Sequence, residues 1–146
     1  MVVSCHCSGC SCWGGLLFII RILSYNVRGL GGFEKRREIK RLVSYKKPFF
    51  LCLQETKLFT VDDLLIRAIW GTPSTGYSFQ PSVGASGGLL TAWDASIVNV
   101  WSTTRFSHVL IIRGVVLQTN QEFVIANIYA PCDETIIMGS TAALCG

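Results

Sequence analysis

The sequence predicts an α/β protein, and three observations predict it. Two short apolar runs in the first half are each followed by a one-sided helical pattern. From Tyr77 onward the chain changes to apolar segments separated by Gly, Ser, Asn and Thr, with no helical period. Half of the 146 residues are hydrophobic, only 15% are charged and the mean hydropathy is +0.44, which excludes intrinsic disorder and supplies the core of one domain.

The first element is a buried strand over Leu16–Tyr25, a dense apolar run broken only by Arg21 and Ser24. It ends at Asn26-Val27-Arg28-Gly29-Leu30-Gly31-Gly32, where three glycines mark a loop. Phe33–Tyr45 follows as a helix, with Ile39, Leu42 and Val43 at i, i+3 and i+4 on its inner face and a basic outer face. Pro48 stops it, and Phe49–Leu53 forms a second buried strand. Thr60, three residues before Asp63, resembles a capping-box start. Leu64, Leu65, Ala68 and Ile69 form the stripe of a short helix ending at Gly71. Gly87–Trp93, Ile97–Ser102, Val109–Leu117 and Glu122–Tyr129 then read as successive antiparallel strands.

The seven cysteines are uneven. Cys5, Cys7, Cys10 and Cys12 crowd the start, and Cys52, Cys132 and Cys145 are scattered. An odd number with one tight cluster is not a disulfide framework, so a reducing, intracellular setting is expected. Cys52, inside Phe49-Phe50-Leu51-Cys52-Leu53, reads as a buried free thiol. Residues 1–15 form a Cys-rich leader, read as disordered. Their spacing with His6 is too tight for an ordinary zinc site, and a soft metal is the alternative. Leu16–Ile20 is too short for a membrane span, no basic residue precedes it as in a signal peptide, and no small-molecule cofactor motif is present.

Asn26 and Glu55 each stand at the carboxyl end of an expected buried strand, where open sheets bind ligands. A carboxylate there is exposed, paired or metal-bound, and a hard oxygen ligand suits Mg²⁺, which uses one or two carboxylates and keeps several waters. Asn26 would orient that carboxylate or touch a phosphate. The competing reading makes both ordinary loop residues. Asn127 and Tyr129 alternate onto one face of a strand ending at Ala130-Pro131. A buried Asn needs hydrogen-bond partners, and a Tyr hydroxyl at a strand end reaches a phosphate or simply the surface. Lys35, Arg36, Arg37, Lys40, Arg41, Lys46 and Lys47 make the first helix basic, either as a solvated face or as a phosphate-tracking surface.

The ordered set Leu23-Ser24-Tyr25-Asn26-Val27-Arg28-Gly29-Leu30, Leu53-Gln54-Glu55-Thr56-Lys57, Ser86-Gly87-Gly88-Leu89 and Ala126-Asn127-Ile128-Tyr129-Ala130-Pro131 resembles the endonuclease/exonuclease/phosphatase superfamily. The wording is most similar to the apurinic-endonuclease-like domain of plant non-LTR (LINE-type) retrotransposons. The resemblance implies a four-layer α/β sandwich, with two mixed sheets face to face and helices outside. It implies cleavage of DNA phosphodiester bonds with Mg²⁺ or Mn²⁺, in a nuclear setting for a retrotransposon endonuclease. By motif match, Glu55 would hold the metal, Asn26 would support the metal and phosphate, and Tyr129 would meet the scissile phosphate. Arg28, Lys57 and Asn127 would contact substrate.

The chain departs from the pattern at two places. Many members carry an acidic ligand two residues after the Asn, where this chain has Arg28, as retrotransposon members do. After Tyr-x-Pro the family continues to Gly-Asp-Phe-Asn and later Ser-Asp-His, which supply the groups that handle the nucleophile and activate water. Residues 132–146 contain neither. The expected organisation is therefore a leader over 1–15, the N-terminal part of the domain over 16–131, and a divergent tail over 132–146. The expected function is a fragment of a Mg²⁺-dependent DNA endonuclease, inactive alone. The alternative is a non-catalytic nucleic-acid-binding or relict protein.

Overall fold

The structure is a computed structural model that describes residues 20–130. The Cys-rich leader, residues 16–19 of the first expected strand, Pro131 and the tail lie outside the described residues. The elements run β1 (Ile22–Asn26), α1 (Phe33–Lys46), β2 (Phe50–Gln54), α2 (Asp63–Ile69), β3 (Thr75–Gln80), β4 (Leu89–Asp94), β5 (Val98–Phe106), β6 (Val109–Val116) and β7 (Gln121–Ile128). They build a four-stranded sheet, β1-β2-β4-β3, and a three-stranded sheet, β5-β6-β7.

Alternation along β2 explains the layering. Leu51 and Leu53 turn to one face, where with Leu90 and Ala92 of β4 they meet Ile39 and Val43 of α1 and Leu65, Ile66 and Ile69 of α2. Phe50 and Cys52 turn to the other face, where with Trp93 they meet Ile112, Val116, Phe123 and Ile125 of the second sheet. Phe50 and Phe123 meet edge to face at 5.0 Å. The described residues thus stack a helix layer on two sheets, which are three layers of the expected four. The outer face of the second sheet carries exposed Val124 and Ile128.

β1 and β2 are parallel, joined across α1, whereas β4 runs antiparallel to β2. The apolar segments after Tyr77 therefore do not form one antiparallel succession. β4 closes back onto the first sheet, and only β5, β6 and β7 make a meander. β3 escapes the sequence pattern because Thr-Gly-Tyr-Ser-Phe-Gln buries only Ser78 fully and has a glycine where strands are usually bulky. That glycine has a use: a Cβ on Gly76 would collide with the Trp93 indole lying across it.

Three further expectations are corrected. β1 begins at Ile22 and is half-buried, because among the described residues it stands at the edge of its sheet and not inside it. Ahead of it, Arg21 is fixed by its Nε donating to Lys47 O at 3.0 Å and by its guanidinium lying over Phe49. α2 is capped by Asp62, whose carboxylate accepts from Leu65 N at 2.8 Å, and not by Thr60. This phasing buries Leu65, Ile66 and Ile69 and leaves Leu64 73% exposed and Ala68 exposed. α1 matches its expected span to within one residue, with Ile39 and Val43 buried and Leu42 half-buried. No helix among the described residues is long and apolar enough to cross a membrane.

Candidate functional site

Parallel pairing brings the carboxyl ends of β1 and β2 to one edge, with Asn26 opposite Gln54. The pairing continues past the strands into the loops. Val27 N donates to Gln54 O at 2.9 Å, Gly29 N to Glu55 O at 2.7 Å and Leu30 N to Thr56 O at 2.9 Å. Thr56 N and Lys57 N donate to Gly88 O and Gly87 O, at 3.1 and 2.9 Å. Fully buried Val27 and Leu30 anchor the first loop, and buried Thr56 anchors the second.

This stitching holds Arg28, Glu55 and Lys57 at φ 51°, 53° and 55°, the left-handed region that non-glycine residues enter at a cost of about 1–2 kcal/mol each. Such strain persists where surrounding bonds over-determine the backbone, and it clusters at functional sites. Gly88 (φ 88°) must be glycine, because a Cβ there would fall on Thr56 Oγ1.

The loops bring Asn26 and Glu55 together. Asn26 Nδ2 donates to Glu55 Oε1 at 3.1 Å, and Asn26 Oδ1 accepts from Arg28 N at 3.3 Å. Only one orientation of the amide satisfies both neighbours, so the Asn26 amino group faces the carboxylate. Asn26 therefore orients Glu55, and Glu55 Oε2, in this half-exposed position, has no hydrogen-bond partner among the described residues. Arg28 and Lys57 are exposed beside the pair, the Lys57 stem lying along Gly29.

A polar ladder lies beneath. Ser24 and Gln54 share the face turned to the second sheet, where Gln54 Nε2 reaches Ser24 Oγ at 3.1 Å and Asn127 Oδ1 at 2.7 Å. Asn127, only 2% exposed, has Nδ2 within 3.2 Å of Leu53 O, 3.0 Å of Leu90 O and 3.2 Å of Thr91 Oγ1. Its donors are all committed to the protein, so the structure places Asn127 under the site as a tie between sheets and not at the surface. The space between the sheets is apolar around Phe50 and Phe123 and becomes polar toward Asn26 and Glu55.

Tyr129 follows β7, half-buried, with its N–H donating to His108 O at 3.0 Å and its ring 6.5 Å from the His108 ring. Alternation sets it one step beyond Asn127 on the same face. Ser24, Gln54 and Thr91 were not among the expected site residues. The period-two alternation of β1 and β2 carried the signal, since Ser24 and Asn26 on one strand and Cys52 and Gln54 on the other point alike.

A divalent cation fits this donor set in one way. Among the described residues no group of three or more His, Cys, Asp or Glu is gathered. Glu55 offers one carboxylate oxygen free and the other already oriented, which suits Mg²⁺ completed by water and by phosphate oxygens.

No protein-family model matches the chain, and no curated protein matches its sequence. Among solved structures, the chain is similar to the AP endonuclease LMAP from Leishmania major, at 22% identity and a TM-score of 0.56, over 75% of this chain and 39% of that one. An AP endonuclease from Archaeoglobus fulgidus is matched at 16% identity and a TM-score of 0.48, over 68% of this chain and 38% of that one. The chain thus spans well under half the length of either structure. Over the part it spans, it shares the α/β fold of the Leishmania major AP endonuclease.

Proposed function

We propose that this chain carries the metal-holding part of a divalent-metal-dependent phosphodiesterase domain that acts on DNA, of the kind found in non-LTR retrotransposon endonucleases. One observation carries the reading: the Asn26 amide holds Glu55 at the shared carboxyl ends of β1 and β2, in loops whose Arg28 and Lys57, each two residues further on, are exposed. A loop pair serving only as a turn has no need of three left-handed non-glycine residues around a carboxylate. Such a domain belongs in the nucleus, where its substrate is.

Glu55 holds Mg²⁺ or Mn²⁺, which when bound supplies Lewis-acid stabilisation of charge on the leaving oxygen. Asn26 fixes the carboxylate and supports the phosphate. Arg28 and Lys57 draw the phosphodiester anion to the loop edge. Tyr129 presents its hydroxyl to the scissile phosphate. The Gly-Asp-Phe-Asn and Ser-Asp-His groups that would handle the nucleophile have no counterpart in these 146 residues. A positioned acid or base typically contributes 10²–10⁴-fold, so this polypeptide alone binds metal without turning over.

Two assays test the reading. Mn²⁺ titration followed by electron paramagnetic resonance should show one bound ion, lost in Glu55→Ala and weakened in Asn26→Ala; binding indifferent to Glu55→Ala would end the metal assignment. Supercoiled plasmid with Mg²⁺ should stay intact, and nicking that disappears in Glu55→Ala would overturn the inactivity.

A further inference from the structure

The positive charge of the protein resides in one helix. Residues 33–47 hold seven Lys and Arg against two Glu, a net +5, whereas the remaining six Lys and Arg and seven Asp and Glu give −1. Ile39 and Val43 anchor α1 to the sheet, so Arg37, Lys40, Arg41, Ser44 and Lys47 face outward and are exposed.

Both carboxylates on the helix are already engaged. Glu34 pairs with Arg37 at 3.2 Å, and Glu38 pairs with Lys35 at 2.9 Å and accepts from Tyr25 OH at 2.7 Å. Arg36 Nε is spent on Leu30 O at 2.9 Å. Lys40, Arg41, Lys46 and Lys47 are left without a carboxylate partner among the described residues. They span about 10 Å of helix at 1.5 Å per residue. Two aromatic rings stand in solvent on the same helix, Phe33 at its first residue at 73% and Tyr45 in its last turn at 80% exposure, with Arg37 and Lys46 stacked over them at 5.9 and 5.1 Å.

We propose that the outward face of α1 is a second nucleic-acid contact, a stripe that tracks the phosphate backbone along the flank of the domain, separate from the Glu55 loop. Cations at helical spacing match a row of phosphates, and exposed rings beside cations stack on bases. An anionic membrane fits less well. A helix lying on lipid must bury a continuous apolar face, and the buried aliphatic residues of α1, Ile39 and Val43, are used by the core, which leaves only the rings of Phe33 and Tyr45 at opposite ends of the helix. The stripe is independent of the metal site, so its test is run in EDTA, and failure of the Glu55 assignment leaves the readout intact.

The test is fluorescence anisotropy of a short labelled DNA duplex titrated with the full chain across a series of KCl concentrations. The logarithm of the binding constant should fall linearly with log salt. K40Q/R41Q/K47Q should flatten that slope by about 0.9 for each phosphate no longer neutralised. Gln preserves helix propensity, and K40R/K47R, which keeps the charges, should bind as the parent does. R105Q/R113Q removes two exposed charges from the second sheet and should retain the parent slope. An unchanged slope in the α1 variant, an equal loss per charge removed in both variants, or binding to phosphatidylserine vesicles with none to the duplex would each overturn the proposal.

Discussion

Gln54 donates its side-chain amide to Asn127 Oδ1 at 2.7 Å, linking β2 of one sheet to β7 of the other across 73 residues of sequence. Glu55 follows Gln54 directly, and Tyr129 lies two residues beyond Asn127. One hydrogen bond therefore fixes the spacing of the two strands whose ends carry the candidate site. A buried polar group left unpaired costs about 1–3 kcal/mol, and Asn127→Ala removes the side-chain donor to the Leu53 and Leu90 carbonyls and Thr91 Oγ1, while Gln54 Nε2 keeps only Ser24 Oγ and Cys52 O. Urea denaturation should show a loss at the upper end of that range. Asn127→Asp should lose more, because it sets an acceptor against two carbonyl oxygens where the amide donated.

Gly88 tests the loop that supports Glu55. Its φ of 88° disfavours any side chain, and a Cβ would also strike Thr56 Oγ1 and come within 3.2 Å of Lys57 N. Gly84 has a similar φ of 60° with nothing near a Cβ. Gly84→Ala should therefore cost only the backbone penalty, about 1–2 kcal/mol. Gly88→Ala should cost more in the same denaturation assay and should also weaken Mn²⁺ binding, because relief of the clash displaces the Thr56–Lys57 backbone that follows Glu55.

The parts of this architecture that were readable in the sequence are those written in local periodicity. α1 shows Ile39 and Val43 at i and i+4, and β2 is an unbroken apolar run, so both were placed to within a residue. β3 was not readable, since Tyr77 and Phe79 alternate with small residues whose meaning lies in a partner strand and in the Trp93 ring. The partition of strands between sheets was equally hidden. Nothing in Gly87–Trp93 says that β4 pairs with β2 and not with β5, because pairing is decided by non-local contacts. At the site, the motif residues Asn26 and Glu55 do meet. The tie formed by Gln54 and Asn127 needed the register of two sheets before its purpose was visible.

Cys52 is 1% exposed, and burial pushes its thiol up to about 12, with a hydrogen bond to Thr91 pulling slightly the other way. The unfolded chain ionises this thiol near its ordinary value of 9.0, whereas the folded chain keeps it protonated. The stabilisation is thus fully present below pH 9 and is lost as pH rises toward 12, by up to about 1.4 kcal/mol per pH unit. Cys52→Ala lowers stability at neutral pH through the cavity it leaves, yet it should flatten the alkaline decline. Denaturation midpoints across pH 8 to about 11 check this, and a decline of equal steepness in Cys52→Ala would assign it to other groups. In native protein at pH 8, alkylation should spare Cys52 until denaturant is added.

Lys47 sets stability against binding. It caps α1 in the left-handed conformation, φ 45° and ψ 58°, with its N–H donating to Val43 O at 2.8 Å. Glycine is favoured at such a position, and relief of the β-carbon penalty is worth about 1–2 kcal/mol. Against this, a cation near a helix C-terminus contributes about 0.3–1 kcal/mol through the dipole, an effect that salt screens. The backbone term is larger, so Lys47→Gly should raise the urea midpoint, and the gain should grow as salt increases. The same change removes one cation from the outward face of α1, so the salt slope of duplex binding should fall by about 0.9 while the fold becomes more stable. A variant that gains stability and keeps its full slope would place Lys47 outside the phosphate-tracking stripe; one that loses stability would show that the lysine charge, and not its backbone, decides how α1 ends.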